Sequence, residues 1–414
     1  MASQPLPLDI ISEIVSRLPI KPIFRFKTVS KSWHSMITSP KFIKLHLTKT
    51  RNLTSLPKLI VSHWSLSETD IDDKNINSVH LTELNHPLKH LPSHIAVEID
   101  GFCNGVLCIT PFDKKSVYLY NPSTKTHHLI PPFASSPNLK PYFDMFDQRN
   151  VNLVVFGFGY DDLKDDYIVL RLIVNNQHRE SSVYSLRNDS WNSVDDNTST
   201  EYRVQINKGV LVNETLHFSA VKVISGNKFD RMIKCFNIKT RSFSLIEIPK
   251  FDEKFDRFGL VMNELNGYFS ILVNQHNFDN NAMLCRKLKC CDMWVRKQET
   301  WVKMFSIHDP ESIGASLNVK PILYRKDGRE ILLQVDSEEL VWYEIGSGEI
   351  EKVRIHELPL RNGKNQSFDV WTFVGSLVSL AKDEAISQTK SLQHKAKNNN
   401  ESAKFLSKGF KLRL

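Results

Sequence analysis

The apolar residues near the start of the chain recur with a helical period. Ile11, Ile14, Val15 and Leu18 fall at i, i+3, i+4 and i+7, one face of a helix. Pro7 suits the first turn of that helix, where its missing N–H would be unpaired anyway. Asp9 and Glu13 lie toward the positive end of the helix dipole, and Pro19 stops the run. Ile10 adds apolar surface off the stripe. A second short helix is predicted after Pro22, with Ile23 and Phe26 facing inward. Val29, Trp33, Met36 and Ile37 signal a third, which Pro40 ends. From about residue 56 the helical period disappears. Short β-branched and aromatic runs alternate with turn residues, the pattern of an all-β sandwich, barrel or propeller.

A three-helix bundle of this size cannot bury its own apolar surface. Either it packs on the following domain as a cap, or it is half of an interface that a partner's helices complete. The pattern alone leaves both open.

Within the β region two kinds of segment alternate. One starts at a turn and enters a strand: CNGVLCI (103–109), VNETLHF (212–218), LNGYFSI (265–271), KDGREILLQV (326–335). The other is an aromatic strand, a polar turn and a further strand, as in VYLYNPSTKTHHLIP (117–131) and LVWYEIGSGEIEKVRI (340–355). The aromatics Tyr120, Tyr184, Phe236, Trp294 and Tyr343 of the second kind are 64, 52, 58 and 49 residues apart. Kelch-like blades repeat about every 50 residues, and the aromatic hairpin is what the outer half of a blade needs. Five hairpin units are legible, and six or more blades are compatible with them. To close such a ring, the isolated strand Lys58–Trp64 is expected to pair with a C-terminal strand within Val370–Leu380, removing the open edges. Residues 65–95 read as an inserted solvated loop, and 382–414 as a polar, disordered tail.

Charge changes the picture in one respect. The formal net charge is +8, of which residues 1–48 hold +5 (seven Lys/Arg, two Asp/Glu) and 382–414 another +5 (eight against three), leaving −2 for the 333 residues between. A nucleic-acid-binding body would carry its basic footprint itself, so nucleic acid is not an expected partner. The basic residues Arg17, Lys21, Arg25, Lys27 and Lys31 of the helical module suit an acidic partner instead. No run of about 18 apolar residues occurs, so no membrane span is expected. No signal peptide is visible, and reduced cysteines in the cytoplasm or nucleus are the expectation.

Candidate chemistry is sparse. Cys285, Cys290 and Cys291 with His276 invite a metal, but their spacing fits no closed ligand set, and they read as buried strand cysteines. His127 and His128 read as solvated residues after a turn. There is no G-x-S-x-G elbow. The glycines of GFGYDD (157–162) open no helix and suit a tight inter-strand turn rather than a phosphate loop. No catalytic residue, metal or cofactor is expected.

The pattern LPLDIISEIVSRLPIK, then RFKTVSKSW, then SPKF (residues 6–42) closely resembles the plant F-box. The resemblance implies a three-helix module over 1–48 that binds a Skp-type adaptor, and through it a cullin–RING scaffold. Carried over by position, the adaptor-facing residues are Leu6, Pro7, Ile10, Ile11, Ile14, Leu18, Pro19, Val29, Ser30 and Trp33. Ile10 and Ile11 stand where leucines are usual; Pro22, Phe24 and Thr28 also depart from the pattern. The segments GFCNGVLCI, YNPSTK, FGFGYDD with DDYIVLRLI, VYSLRNDSW and LVWYEI, in this order, resemble the plant F-box-associated domain related to kelch propellers. Asn213-Glu214 departs from that family's Asn-Gly, so that turn is expected to differ. The fold expected is therefore mainly β, a small helical F-box followed by a kelch-like propeller over 56–381. The function implied is that of a non-catalytic substrate receptor of a ubiquitin ligase, the propeller holding a protein target. The rival reading is a carbohydrate- or small-ligand-binding propeller with the F-box as a secondary anchor.

Overall fold

The computed structural model describes residues 6–50, 57–71, 78–92, 95–133, 153–174, 179–198, 202–205, 208–225, 228–251, 257–278, 286–358, 360–361, 364–365 and 367–381. The segment 382–414, read as a tail, lies outside them.

Four helices open the chain: α1 (Leu8–Val15), α2 (Ile20–Phe26), α3 (Lys31–Thr38) and α4 (Pro40–Thr50). Pro7 and Pro19 occupy the positions just before α1 and α2, with extended ψ values of 143° and 157°. Pro22 lies in the first turn of α2, where a proline costs no hydrogen bond. Ser30 caps α3, its hydroxyl accepting from the Trp33 amide at 3.2 Å. The expected count of three helices is exceeded because Pro40, which ends α3, also opens α4; a proline fits a helix start as well as it bars a continuation. Val15, Ile23, Ile37 and Phe42 form the module's buried core.

The rest is a ring of six blades, each an antiparallel sheet of mostly four strands. Blade II consists of Val97–Cys103, Val106–Pro111, Val117–Asn121 and Thr126–Ile130, from the axis outward. Blade III follows with Leu153–Asp161, Asp166–Val174, Arg179–Ser185 and Ser190–Ser193. In blade IV, Val210–Val212 is the inner strand, followed by Thr215–Ser225, Lys228–Asn237 and Ser242–Glu247; Arg203–Val204 also pairs with its second strand. Blade V is Arg257–Leu265, Tyr268–Phe278, Arg286–Lys297 and Thr300–Ile307. Blade VI is Val319–Tyr324, Glu330–Val335, Glu339–Glu344 and Ile350–His356. Blade I is composite: its inner strand Asp369–Phe373 pairs with Lys58–Ser62, followed by Leu66–Thr69 and Thr82–Glu83. This is the ring closure expected from the sequence, in register Ile60↔Trp371.

Six apolar cores fill the six seams between neighbouring blades, the last joining Leu59 and Val61 of blade I to Leu332 and Trp342 of blade VI. Because each blade is covered on both faces, its middle strands are more buried than its outer one. Val106–Pro111 is wholly buried, whereas the outer Ser190–Ser193 is largely exposed. The five repeated aromatics all fall in third strands, and four of them are buried.

Two sequence expectations are corrected. Residues 65–95 are not simply a solvated loop: they supply Leu66–Thr69, Thr82–Glu83 and Ser78–His80, the last lying parallel to the outer strand of blade VI. Leu66, Val79, Leu84 and Leu88 are buried there, spaced among polar residues too irregularly to show a strand period. Gly157 and Gly159 form no turn; they sit inside the inner strand of blade III. A Cβ on Gly157 would lie 2.8 Å from Phe218 and one on Gly159 2.3 Å from Ile238, so these glycines admit the side chains of blade IV.

Candidate functional site

The helical module satisfies one of its faces against the propeller and leaves another bare. After the closing strand, the chain runs on through 374–380 beside blade II. Asn121 donates from its amide nitrogen to the Ser376 and Val378 carbonyls at 3.2 and 2.7 Å, and the Thr124 hydroxyl donates to the Val378 carbonyl at 3.0 Å. Leu377, thus held, is buried among Val15, Ile23, Ile37 and Phe42 of the helices. Lys44 of α4 pairs with Asp165 at 2.7 Å, and Lys21 of α2 lies 3.8 Å from Asp70. Burial opposes the charge on Asp165, but Lys44 and the Tyr160 hydroxyl outweigh it and hold the carboxyl below its ordinary pKa.

Apolar side chains are also left open on and around α1. Leu6, Leu8, Ile10 and Ile14 are 59, 51, 47 and 54% exposed, and Val29, between α2 and α3, is 62% exposed. Ile10 and Ile14 are one turn apart on one helix face. Isolated exposed apolar residues are ordinary, whereas contiguous apolar patches are rare on soluble surfaces. Each side chain fully buried by a partner would contribute about 1.5–3 kcal/mol before association costs.

The residues assigned to the adaptor by position therefore divide. Leu6, Pro7, Ile10, Ile14, Pro19, Val29 and Ser30 are exposed. Ile11, Leu18 and Trp33 are half-buried against the module's own core, Trp33 with its ring 5.3 Å from Phe26. The periodic stripe of α1 thus splits, because Val15 alone of it is fully enclosed and Ile14 turns out beside Ile10. Leu8, in the first turn of α1 and outside the periodic run, is exposed as well. Among the basic residues, Arg17 is engaged by Glu13 at 2.6 Å, Lys27 lies over the Phe24 ring at 4.9 Å, and Arg25 and Lys31 are exposed. His46 holds α4 to the end of α1, its Nε2 lying 3.1 Å from the Leu18 carbonyl oxygen; burial pushes its pKa down.

The ring has two rims, and the contacts distinguish them. With four antiparallel strands per blade, the hairpins joining first to second and third to fourth strands share one rim. Every contact described above falls there: Asp165, Asp70, Asn121 and Thr124 lie just beyond a first or third strand, or at its end. Gly105, in the first hairpin of blade II, would place a Cβ 2.4 Å from Ser376. The other rim, made of second-to-third hairpins and blade-to-blade connections, faces away from the helices. Trp64, Phe112, Ile224 and Leu317 are its exposed apolar side chains among the described residues.

The remaining candidates have structural explanations. Cys290 and Cys291 are buried in the third strand of blade V, Cys291 donating to the Asn274 side-chain oxygen at 3.2 Å; His276 reaches the Leu317 carbonyl at 2.6 Å. Burial raises the Cys291 thiol pKa. Cys285 lies outside the described residues. Among the described residues no group of three or more His, Cys, Asp or Glu could hold a metal ion. His127 is exposed as expected, but His128 is buried, bridging blades II and III through the Tyr184 hydroxyl at 2.8 Å. Alternation along Thr126–Ile130 sends the two histidines to opposite faces.

A family profile described as "F-box associated beta propeller domain" matches residues 57–380, and an "F-box domain" profile matches 4–45. "F-box protein CPR1" of Arabidopsis thaliana is 26% identical, the alignment covering 98% of this chain and 99% of that one. An F-box/kelch-repeat protein of the same plant is 27% identical over 90% of this chain and 95% of the relative. Among solved structures, TolB of Acinetobacter baumannii aligns with a TM-score of 0.37 at 10% identity, over 76% of this chain and 72% of that one.

Proposed function

The chain belongs to the F-box-associated β-propeller family, and from that premise we propose that it is the substrate-recognition subunit of a Skp–cullin–F-box ubiquitin ligase. The observation that carries the proposal is the bare apolar face of Leu6, Ile10, Ile14 and Val29, on helices whose other side the propeller already covers. A Skp-type adaptor buries that face. Pro7, Pro19 and Ser30 border it, while Ile11, Leu18 and Trp33 hold its shape from within. The exposed Arg25 and Lys31 favour an acidic adaptor.

The rim turned away from the helices is the proposed target surface, since rigid scaffolds carry recognition on their loops. The chain performs no chemistry in this mechanism. It raises the effective concentration of target lysines near the charged conjugating enzyme, in the cytoplasm or nucleus.

A test uses the intact chain and an Ile10→Asp, Ile14→Asp variant expressed in turn in the same plant cells. Proteins captured by both forms but accumulating only with the variant support the proposal. Captured proteins whose abundance is the same with either form contradict it.

A further inference from the structure

The inner strands enclose a central cavity of about 320 Å³. At one end, three blades converge on Asp369, the first residue of the closing strand. Its Oδ2 accepts from Lys208 Nζ at 2.9 Å and from Trp371 Nε1 at 3.0 Å, and its Oδ1 accepts from Lys320 Nζ. Lys320 also donates to the Val370 carbonyl at 2.9 Å. Both ammonium groups stand over the Trp371 ring, 4.9 and 5.0 Å from its centroid. Lys208 precedes the inner strand of blade IV and Lys320 lies at the start of that of blade VI, so the cluster sits toward the rim that faces away from the helices. Beyond it the cavity wall is mixed: apolar Phe102, Leu260, Met262 and Ile322 alternate with polar Asn263 and Thr372. Glu264 lines the opposite end, where its carboxylate accepts from the Gly267 amide, and burial raises its pKa.

The charges do not balance locally: two ammonium groups share one carboxylate. One lysine would suffice to neutralise Asp369 and tie two blades together. A second half-buried cation carries a desolvation cost that a shared partner only partly offsets. Burial pushes the Lys320 pKa down despite Asp369, whereas Asp369 is held well below the ordinary carboxylate range: burial opposes its charge, but the two lysines outweigh it. The cluster is therefore a cationic end on a partly apolar cavity, of a volume near the lower bound of small-molecule sites, about 300 Å³.

We propose that this channel binds a small organic carboxylate, its charged end between Lys208 and Lys320 and its apolar body against Met262, Leu260 and Phe102. Such a ligand completes the pairing of the second lysine and covers the apolar part of the wall. An inorganic anion would do only the first.

The test is calorimetric titration of the full chain with benzoate, its neutral analogue benzyl alcohol, and inorganic phosphate. Benzoate is expected to bind saturably with Kd of about 1 mM or tighter, the other two at least about tenfold more weakly. Lys208→Met, which keeps the stem and removes the charge at a position outside any strand, is expected to weaken benzoate by about tenfold with an unchanged unfolding midpoint. No saturable benzoate binding, equal binding of benzyl alcohol, or equal benzoate binding by Lys208→Met overturns the site. Phosphate binding as tight as benzoate overturns the organic ligand. The comparison of the three probes on the unaltered chain stands even should the variant fail to fold. No adaptor is present in the assay, so its outcome is separate from that of the receptor role.

Discussion

At the scale of single residues, the blades are shaped by left-handed backbone positions that only some residues advertise. The first hairpins of blades II and V turn at Asn104-Gly105 and Asn266-Gly267, with φ of 50° and 76°, and 51° and 83°. Asn213-Glu214, expected to turn differently, adopts the same conformation at 44° and 66°, because pairing of Val212 with Thr215 leaves only two residues for the turn. Glu214→Gly should therefore stabilise the chain by about 0.5–1 kcal/mol, measured by urea unfolding. Lys239, which pairs with Glu214, keeps Asp162 at 2.8 Å. The converse holds at Gly105, where φ and the approach of Ser376 both exclude a side chain: Gly105→Ala should cost more than about 2 kcal/mol in the same assay. Similarly, Lys125, Asp189, Arg241, Glu299 and Gly348 all have positive φ five residues after a third-strand aromatic, and one of the five is glycine. Aromatic spacing made those hairpins legible in the sequence; their turn geometry was not, because side chains without a glycine signal bear it. His46 gives a pH dependence. Its pKa is lowered in the folded helices, so as pH falls through about 6.5 the unfolded chain takes up a proton that the folded one resists. Stability of the helical module should fall over that interval, and His46→Gln should reduce the dependence, as followed by hydrogen exchange in α4 against pH.

At the scale of elements, blades II to VI were legible because each carries its hairpins in one continuous stretch. Blade I was not, because its inner strand comes from one end of the propeller sequence and the others from the opposite end. Only the closure argument found the pair Lys58–Ser62 and Asp369–Phe373. The strands within 65–95 escaped notice since they are two to four residues long and lie among acidic and polar positions. A chain ending at Phe368 would lose the closing strand and leave the Lys58–Ser62 edge and two seams unfilled. It should lose cooperative unfolding and aggregate, as followed by calorimetry and light scattering. Leu377→Ala should cost about 2–4 kcal/mol, felt in the helices and not in the ring: amide exchange should accelerate in α1 to α4 while the blade strands remain protected.

At the scale of the whole molecule, the helical module packs on the propeller as a cap through one set of residues, and the partner interface proposed above rests on another. Val15, Ile23, Ile37 and Phe42 close over Leu377 of the propeller, and Leu6, Ile10, Ile14 and Val29 stay bare. Sequence periodicity could not separate the faces, because a helix seven or eight residues long completes only two turns. Positional resemblance named the bare residues among others that are half-buried, and burial now sorts them. This sorting selects the residues to change: Leu18 and Trp33 help hold the helices together, so altering them confounds unfolding with loss of contact. Ile10 and Ile14 lie outside that core. The most direct measurement is co-purification of a Skp-type adaptor with the intact chain and with the Ile10→Asp, Ile14→Asp variant, both checked for the same unfolding midpoint. The account predicts a stable complex with the intact chain and loss of the adaptor from an equally stable variant. Equal retention by both, or no adaptor with either, would contradict it.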